Sequence, residues 1–564
     1  MAKPNSDLKL LDELLKNNKE LTKIIRELKQ QNGYENVDFA HLEHPLDNDV
    51  IALLKKLKNT FRNSDDDYHI FNSIESIKDM WKLIISKSIK CLRFFDKREP
   101  FLALPNKRPV AYGVNELSNY FEDYSDFESM LYGSGKYYRD HVVHVFRVWL
   151  LGLNCLLNKE AEYLNNLVIQ QGFEINPLEK ISIWSIIALT HDLGYPLQKA
   201  QEIIDKTKKM MRSFVANPIV SLDLDFNGVQ SNMNDFVIRF MSSKMREVNS
   251  ICPKEKEYEN EDVKKSDTGC AADDKESKPK KFVARLQPKY YFKLQKSLEQ
   301  CKHGVLSSII IYKLLIYFLE SDFNINEDYR FAEEDARQFY IRREILRSIA
   351  SHTCHDIYHL TMLSFAYLLI IVDDAQEWGR KRLSELYIRS NYEYELEDIV
   401  TRFEDDTNKT DGKEFKNCEC IVSEQFTFLK PDLDTESDSE TGSNADAVLE
   451  GVKNIFKNLV KQYGNYKEIF RDGQDTANRD FIFTKRTEII TNDTHKPKFN
   501  VEFKILNEER SVFEIRLTSN DMESDQKIYG KSFLEDVFGK KKIENAEKHE
   551  EKSDEIVYYL KIDE

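Results

Sequence analysis

The 564 residues contain little that would build a membrane span, a disulfide framework or a broad basic surface. The longest unbroken apolar stretches, such as the one ending at Val372, fall well short of the roughly 18 residues that cross a bilayer. The opening Met1-Ala-Lys-Pro-Asn-Ser-Asp is polar and offers no signal core, so a cytoplasmic location without a membrane partner is expected. Eight cysteines lie scattered, with Cys418-Glu-Cys420 as the one close pair. That spacing is no zinc ribbon, and free thiols are the expectation. Asp and Glu (98) outnumber Lys and Arg (82), for a net charge of −16. Phosphate affinity is driven by concentrated basic surface, so a dedicated nucleic-acid binder is disfavoured and a local basic pocket is not. No internal repeat is apparent.

What is present fits a folded chain of more than one domain, 41% hydrophobic and 32% charged, with some disordered segments. Residues 1–130 read as an N-terminal helical region. Within it Leu11, Leu14, Asn18, Leu21, Ile25 and Leu28 alternate three- and four-residue steps. This seam serves a short coiled coil, and with it a homodimer, or a helix packed on its own domain. Helical patterns continue over Val50–Phe61 and Ser73–Phe95 and dominate 131–385, interrupted by Pro253–Lys281, which is dense in Lys, Glu and Asp and reads as a disordered insert. From 386 to 564 a smaller α/β domain is expected. It begins with a strand and a short helix over Leu386–Phe403, and a further strand follows at Cys420–Leu429. An acidic linker at Asp432–Asp446 precedes a helix at Ala447–Tyr463. Strands complete it at Phe481–Ile490, Phe499–Ile505, Val512–Thr518 and Ile556–Ile562. The predicted fold class is mainly α, an all-helical core with this β-containing appendage.

Five stretches of the helical region place histidine or aspartate on apolar elements. In Tyr137-Tyr-Arg-Asp-His141-Val-Val-His144-Val-Phe-Arg-Val148, His141 and His144 share one face of a helix spanning roughly 137–156. His191-Asp192 ends the apolar helix Ile181–Thr190, where Gly194 and Pro196 stop it, and the negative end of a helix favours a cation. His303 opens the apolar helix Val305–Leu319, with Gly304 beside it, and His352 closes one that begins near Tyr340. His355 and His359 follow, in a segment that also reads as a solvent-facing loop. Asp373 lies mid-helix behind a long apolar run. An ionised aspartate there costs several kcal/mol unless it is partnered, by a metal or by an arginine such as Arg380.

This order of H…HD…H…H…D resembles the HD superfamily of metal-dependent phosphohydrolases over 137–385. The resemblance implies that His144, His191, Asp192 and Asp373 hold one divalent ion, and that Asp192 bridges to a second held also by His303 and His352. Mixed imidazole and carboxylate ligation suits Mn, Fe, Co, Ni or Zn. A water between two such cations has its pKa lowered to about 7 and is available as hydroxide to attack a phosphate ester. His141, one turn before the first ligand, is similar in position to the general-acid histidine of cyclic-nucleotide phosphodiesterases. Arg147, Lys199, Lys302 and Arg380 are the candidate phosphate contacts.

Tyr195 and Pro196 stand where dNTP triphosphohydrolases carry further histidines, and the Gly-Tyr-Pro of cyclic-di-GMP phosphodiesterases is a separate downstream motif. The substrate class implied is therefore a nucleotide or related phosphate ester of unspecified kind. An HD-type nuclease on single-stranded nucleic acid and a non-catalytic nucleotide-binding regulator are the alternatives.

Overall fold

The computed structural model describes residues 6–31, 38–62, 73–96, 113–134, 141–158, 161–167, 169, 173–214, 229–248, 280–320, 329–354, 362–378, 392–405, 415–428, 441–469, 480–491, 498–505, 511–520, 527–529, 531–538 and 555–560. The N-terminal and central parts are built from α1 (Ser6–Gln30), α2 (Asn48–Arg62), α3 (Ile74–Phe94), α4 (Val114–Ser134), α5 (Val142–Leu157), α6 (Glu162–Asn166), α7 (Pro177–Thr190), α8 (Tyr195–Phe214), α9 (Val229–Ser242), α10 (Pro288–Glu299), α11 (His303–Leu314), α12 (Ile316–Leu319), α13 (Glu333–Ser351) and α14 (Phe365–Ala375). Among the described residues no helix is long and apolar enough to cross a membrane.

α5 and α7 form the centre. Every residue of α7 from Leu178 to Thr190 is buried, as is all of α5 except Cys155. A helix apolar on every side has to be wrapped by others, and α1, α3, α13 and α14 do this. A Cβ at Gly152 would meet the Trp184 ring at 2.0 Å, so only glycine lets α5 and α7 approach so closely. α7 starts with Pro177 at its first turn and a reciprocal capping box between Asn176 and Glu179.

The N-terminal helices join this same core. The α1 seam buries Leu11, Leu14, Leu21 and Leu28 against α5 and α2, so the apolar face that would have paired a dimer is covered within the chain. Trp81 of α3 donates to Leu189 O at 2.7 Å near the end of α7.

Three expectations need correction. The helical part also carries an antiparallel ribbon, β1 (Ser243–Val248) with β2 (Lys281–Leu286), flanking the insert. Phe282, Val283 and Ala284 are buried there, and Phe282 bridges to Phe331. Residues 253–279 of the insert lie outside the described residues. The apolar run after His303 forms two helices, because Leu315 takes an extended conformation between them. Of the strand and short helix expected over Leu386–Phe403, residues 386–391 lie outside the described residues, and the rest is one 14-residue strand, β3 (Tyr392–Asp405). Its start alternates Tyr392, Tyr394 and Leu396 with glutamates, a period of two.

The C-terminal part is a six-stranded sheet in sequential order from β3 through β4 (Phe415–Phe428), β5 (Asp480–Ile490), β6 (Lys498–Ile505), β7 (Val512–Thr518) and β8 (Glu555–Leu560). All neighbours are antiparallel except β4 and β5. That parallel step needs a crossover, supplied by α15 (Thr441–Ile469). The acidic linker is shorter than expected, since the helix already covers Thr441–Asp446. Phe456, Tyr463 and Tyr466 of α15 pack edge-on to Phe499, Phe503, Phe513 and Phe483 of the sheet. Cys91, Cys155, Cys301, Cys354, Cys418 and Cys420 are free thiols.

Candidate metal centre

Three helix C-termini, those of α7, α13 and α14, and two helix N-termini, those of α5 and α11, converge. His191 is the C-cap of α7 and His352 the C-cap of α13, while Asp373 sits in the last turn of α14 and not at its middle. His303 opens α11, and His144 projects from the first turn of α5. The negative ends of α7, α13 and α14 thus face one place and favour positive charge there. Two glycines make the convergence possible. A Cβ on Gly194 would meet His303 O at 2.3 Å, and one on Gly304 would meet Ile349 O at 2.6 Å and the His352 ring at 3.0 Å.

Asp192 lies at the middle. Its Oδ1 is 3.3 Å from His303 Nε2 and 3.5 Å from His352 Nε2. Its Oδ2 is 3.4 Å from His191 Nε2 and 3.8 Å from His144 Nε2. Asp373 Oδ1 is 2.8 Å from His144 Nε2 and 3.7 Å from His191 Nε2. Donors sharing a cation at bond lengths of roughly 2.1 Å are separated by about 3.0–3.4 Å, the range these pairs cluster around. Two ligand triads form within this cluster, His144/His191/Asp373 and His191/Asp192/His352.

The other ring nitrogen of each histidine is tied to an oxygen. His191 Nδ1 donates to Ala188 O at 2.8 Å, and His352 Nδ1 donates to Ile349 O. His303 Nδ1 donates at 2.8 Å to Gln198 Oε1, which also accepts from the His303 amide. His144 Nδ1 donates to Gln376 Oε1, and that amide is oriented because Gln376 Nε2 donates to Trp378 O at 2.8 Å. Carbonyl oxygens only accept, so all four rings carry their proton on Nδ1 and turn an Nε2 lone pair inward. As neutral rings they would set four lone pairs against two carboxylates, acceptor against acceptor; only an added proton, as where His144 Nε2 meets Asp373 Oδ1 at 2.8 Å, or a cation relieves this. His191 Nε2 and His352 Nε2 are buried with no hydrogen-bond partner. A cation is what this donor set lacks, and the residues present fit a divalent metal with its outer-shell oxygens in place.

The titration of the cluster follows the same field. Burial pushes the His191 imidazole down, but Asp192 and Asp373 outweigh it and raise it to about 9. Burial pushes Asp192 up, yet His191, His303 and His352 hold it well below the usual carboxylate range. Asp373 is likewise raised by burial and overruled by His144 and His191, ending well below that range. His303 is lowered, chiefly by burial, with Asp192 opposing. The neighbouring Asp374 points elsewhere: its Oδ2 accepts from Tyr466 at 2.6 Å. Burial and Asp373 raise Asp374 to about 6, so Asp373 is the carboxylate that faces the histidines.

The six expected ligand side chains, His144, His191, Asp192, His303, His352 and Asp373, are therefore brought together. Access is from the side of His303 and Asp373, whose side chains are 20% and 23% exposed against 0% for His144 and His191. His141 is the N-cap of α5, buried outside the ligand cluster, with its ring 3.9 Å from that of Tyr195 and 6.2 Å from His144. Lys199 Nζ lies over the Tyr195 ring at 5.2 Å and pairs with Glu202 at 2.9 Å. Lys302 is the N-cap of α11, half-buried beside His303. Arg380, His355 and His359 lie outside the described residues.

Arg147 is corrected. Its Nε and Nη2 donate to Asp7 at 2.9 and 2.7 Å and its Nη1 to Trp378 O at 3.1 Å, all buried, so the guanidinium is a structural clamp and not a phosphate contact. Sequence reasoning gave no role to Gln198 or Gln376. A polar residue at the end of an apolar helix, three places after Asp373, was the one available signal for the latter.

No protein-family model, curated protein or solved structure matches the chain.

Proposed function

We propose that this chain is a metal-dependent phosphohydrolase of the HD type, acting on a nucleotide or related phosphate ester. One observation carries the reading: four histidines, each with Nδ1 tied to an oxygen, turn Nε2 toward Asp192 and Asp373, and two of those nitrogens are buried without a partner. His144, His191, Asp192 and Asp373 would hold one divalent ion, and Asp192, His303 and His352 a second. Such ions supply, when bound, acidification of water and neutralisation of phosphoryl charge. Imidazoles and carboxylates together select Mn, Fe, Co, Ni or Zn over Ca or Mg.

The chain's own residues complete the site. Asp192 spans the cluster, one oxygen toward each histidine pair. His141, one turn before His144, would serve as the general acid that protonates a leaving oxygen. Lys199 and Lys302 flank the His303 side, from which a phosphate would enter.

Metal analysis of the purified full chain, combined with a screen of dNTPs, cyclic nucleotides and short oligonucleotides for hydrolysis products, tests this. About two ions per chain and turnover of one substrate class are expected, with both lost in Asp192→Ala. Turnover that survives Asp192→Ala refutes the assignment. Strongly salt-dependent cleavage of oligonucleotides would select the nuclease form, and tight binding without turnover the regulatory form.

A further inference from the structure

The last turn of α14 is held from two sides. Asp373 and Gln376, three residues apart and so on one helix face, serve the candidate metal centre: Asp373 as ligand, Gln376 as the acceptor that orients His144. Between them, Asp374 and Ala375 turn toward the C-terminal sheet domain. Tyr466 of α15 donates to Asp374 Oδ2 at 2.6 Å, and Tyr394 of β3 donates to Ala375 O at 2.9 Å. The Tyr394 hydroxyl also faces Glu424 Oε2 at 3.2 Å. That carboxylate also meets Lys485 at 3.1 Å and Thr487 at 2.7 Å, and the Tyr394 hydroxyl is shared between it and the nearer Ala375 O. Both tyrosines are anchored by aromatic packing, Tyr466 on Phe483 at 4.8 Å and Tyr394 on Phe426 at 5.0 Å.

We infer that Tyr394 and Tyr466 are positioning residues through which the C-terminal domain sets the geometry of the ion held by His144, His191 and Asp373. The inference rests on the metal-centre reading above. A helix terminus has no further turn to brace it, so Asp373 and Gln376 depend on neighbours for their placement. The two hydroxyls grip the residues between them, and nothing comparable reaches Asp192, His303 or His352 from the sheet among the described residues. By linkage the dependence runs both ways: metal binding tightens the sheet domain's hold on α14, and a domain displaced from α14 weakens the metal.

The test uses the full chain and Mn2+ titrated calorimetrically into the wild type, Tyr394→Phe, Tyr466→Phe and the double variant. Phenylalanine keeps the ring packing, and thermal unfolding of the metal-free proteins checks that each variant folds. Loss of an outer-shell contact costs 10–100-fold in metal affinity, so about 10-fold is expected for each single variant and more for the double. The weakening should fall on one of the two ions while the other binds as in the wild type. Mn2+ should also slow amide exchange in β3 and the C-terminal turns of α15 in the wild type and not in the double variant. Two ions bound with unchanged affinity in every variant, or equal weakening of both ions, overturns this inference and leaves the metal centre standing. A wild type that takes up no Mn2+ overturns both.

Discussion

His144 and Arg147 stand one turn apart on α5, equally buried, and their surroundings differ in kind. Arg147 sits in a closed set: three of its nitrogens meet Asp7 and the Trp378 carbonyl, and the Trp378 indole donates back to Asp7 at 3.0 Å. Around His144 the set is open: its Nε2 meets Asp373 Oδ1 at 2.8 Å, but the neighbouring His191 Nε2 and His352 Nε2 are buried without a hydrogen-bond partner. The Glu424–Lys485–Thr487 group in the sheet domain is closed like the first, its lysine also donating to Gln462 at 2.8 Å. A buried charge whose partners are complete is explained by the fold. One whose partners are incomplete points to something the fold expects to receive. Burial and charge alone do not separate the two cases; counting donors against acceptors does.

The contrast can be broken at either side. The closed side should respond in stability alone. Asp7→Ala leaves the Arg147 guanidinium buried and unpaired, which costs about 3–5 kcal/mol in chemical denaturation; a loss under 1 kcal/mol would show that the clamp is not closed. The open side should respond to metal. Mn2+ at a hundred times its dissociation constant should stabilise the wild type by about 2.7 kcal/mol for each ion bound, and Asp192→Ala should gain none of it. A melting temperature indifferent to every transition metal would remove the open site from the argument.

Gln376→Ala frees the His144 ring to turn and should weaken one ion by about 10–100-fold, with little change in metal-free stability. An unaltered titration curve would show that His144 is oriented by something else.

The smallest effect is the pH dependence. The folded His191 value of about 9 lies above its ordinary 6.5. Its contribution to metal-free stability is therefore full below pH 6.5 and lost as pH rises through 9. Asp192 and Asp373 are depressed, so theirs is present above 3.8 and lost as pH falls through their folded values. As far as His191, Asp192 and Asp373 decide it, the metal-free protein should be most stable between 3.8 and 6.5, with the lowered His303 opposing toward the acid side of that window. A metal must displace the His191 proton, so Mn2+ affinity should climb between pH 6.5 and 9, by at most about tenfold per unit, and then level. Affinity independent of pH over that interval would mean His191 is not a ligand.

Much of this site was legible in the chain because its ligands end or open apolar helices. His191-Asp192 before Gly194, and His303 beside Gly304, advertise a polar group at a helix terminus in a buried setting. Asp373 was found the same way, though the apolar run before it hid that Gln376 ends the helix. Arg147 was misread because its partner, Asp7, lies 140 residues away and no local pattern announces a pairing at that range. The same limit applied to the α1 seam. A heptad reads alike whether it meets a second copy or α5, and the choice belongs to tertiary packing. The β1–β2 ribbon escaped notice because it brackets a long polar insert, so neither strand has a neighbour in sequence. In β3 a period of two is present, but the expected short helix gives way to continued strand, because pairing with β4 runs on to Asp405.

The stretch from Asp373 to Trp378 is where the first helix, the central bundle and the terminal sheet all meet. A polypeptide cut to 131–385 would retain all six ligand side chains. It would also be deprived of the carboxylate that anchors Arg147 and of both phenols that brace α14. The scaffold that keeps those candidate ligands in register thus reaches well beyond their motif on both sides, to Asp7 in the first helix and to Tyr394 and Tyr466 in the sheet domain.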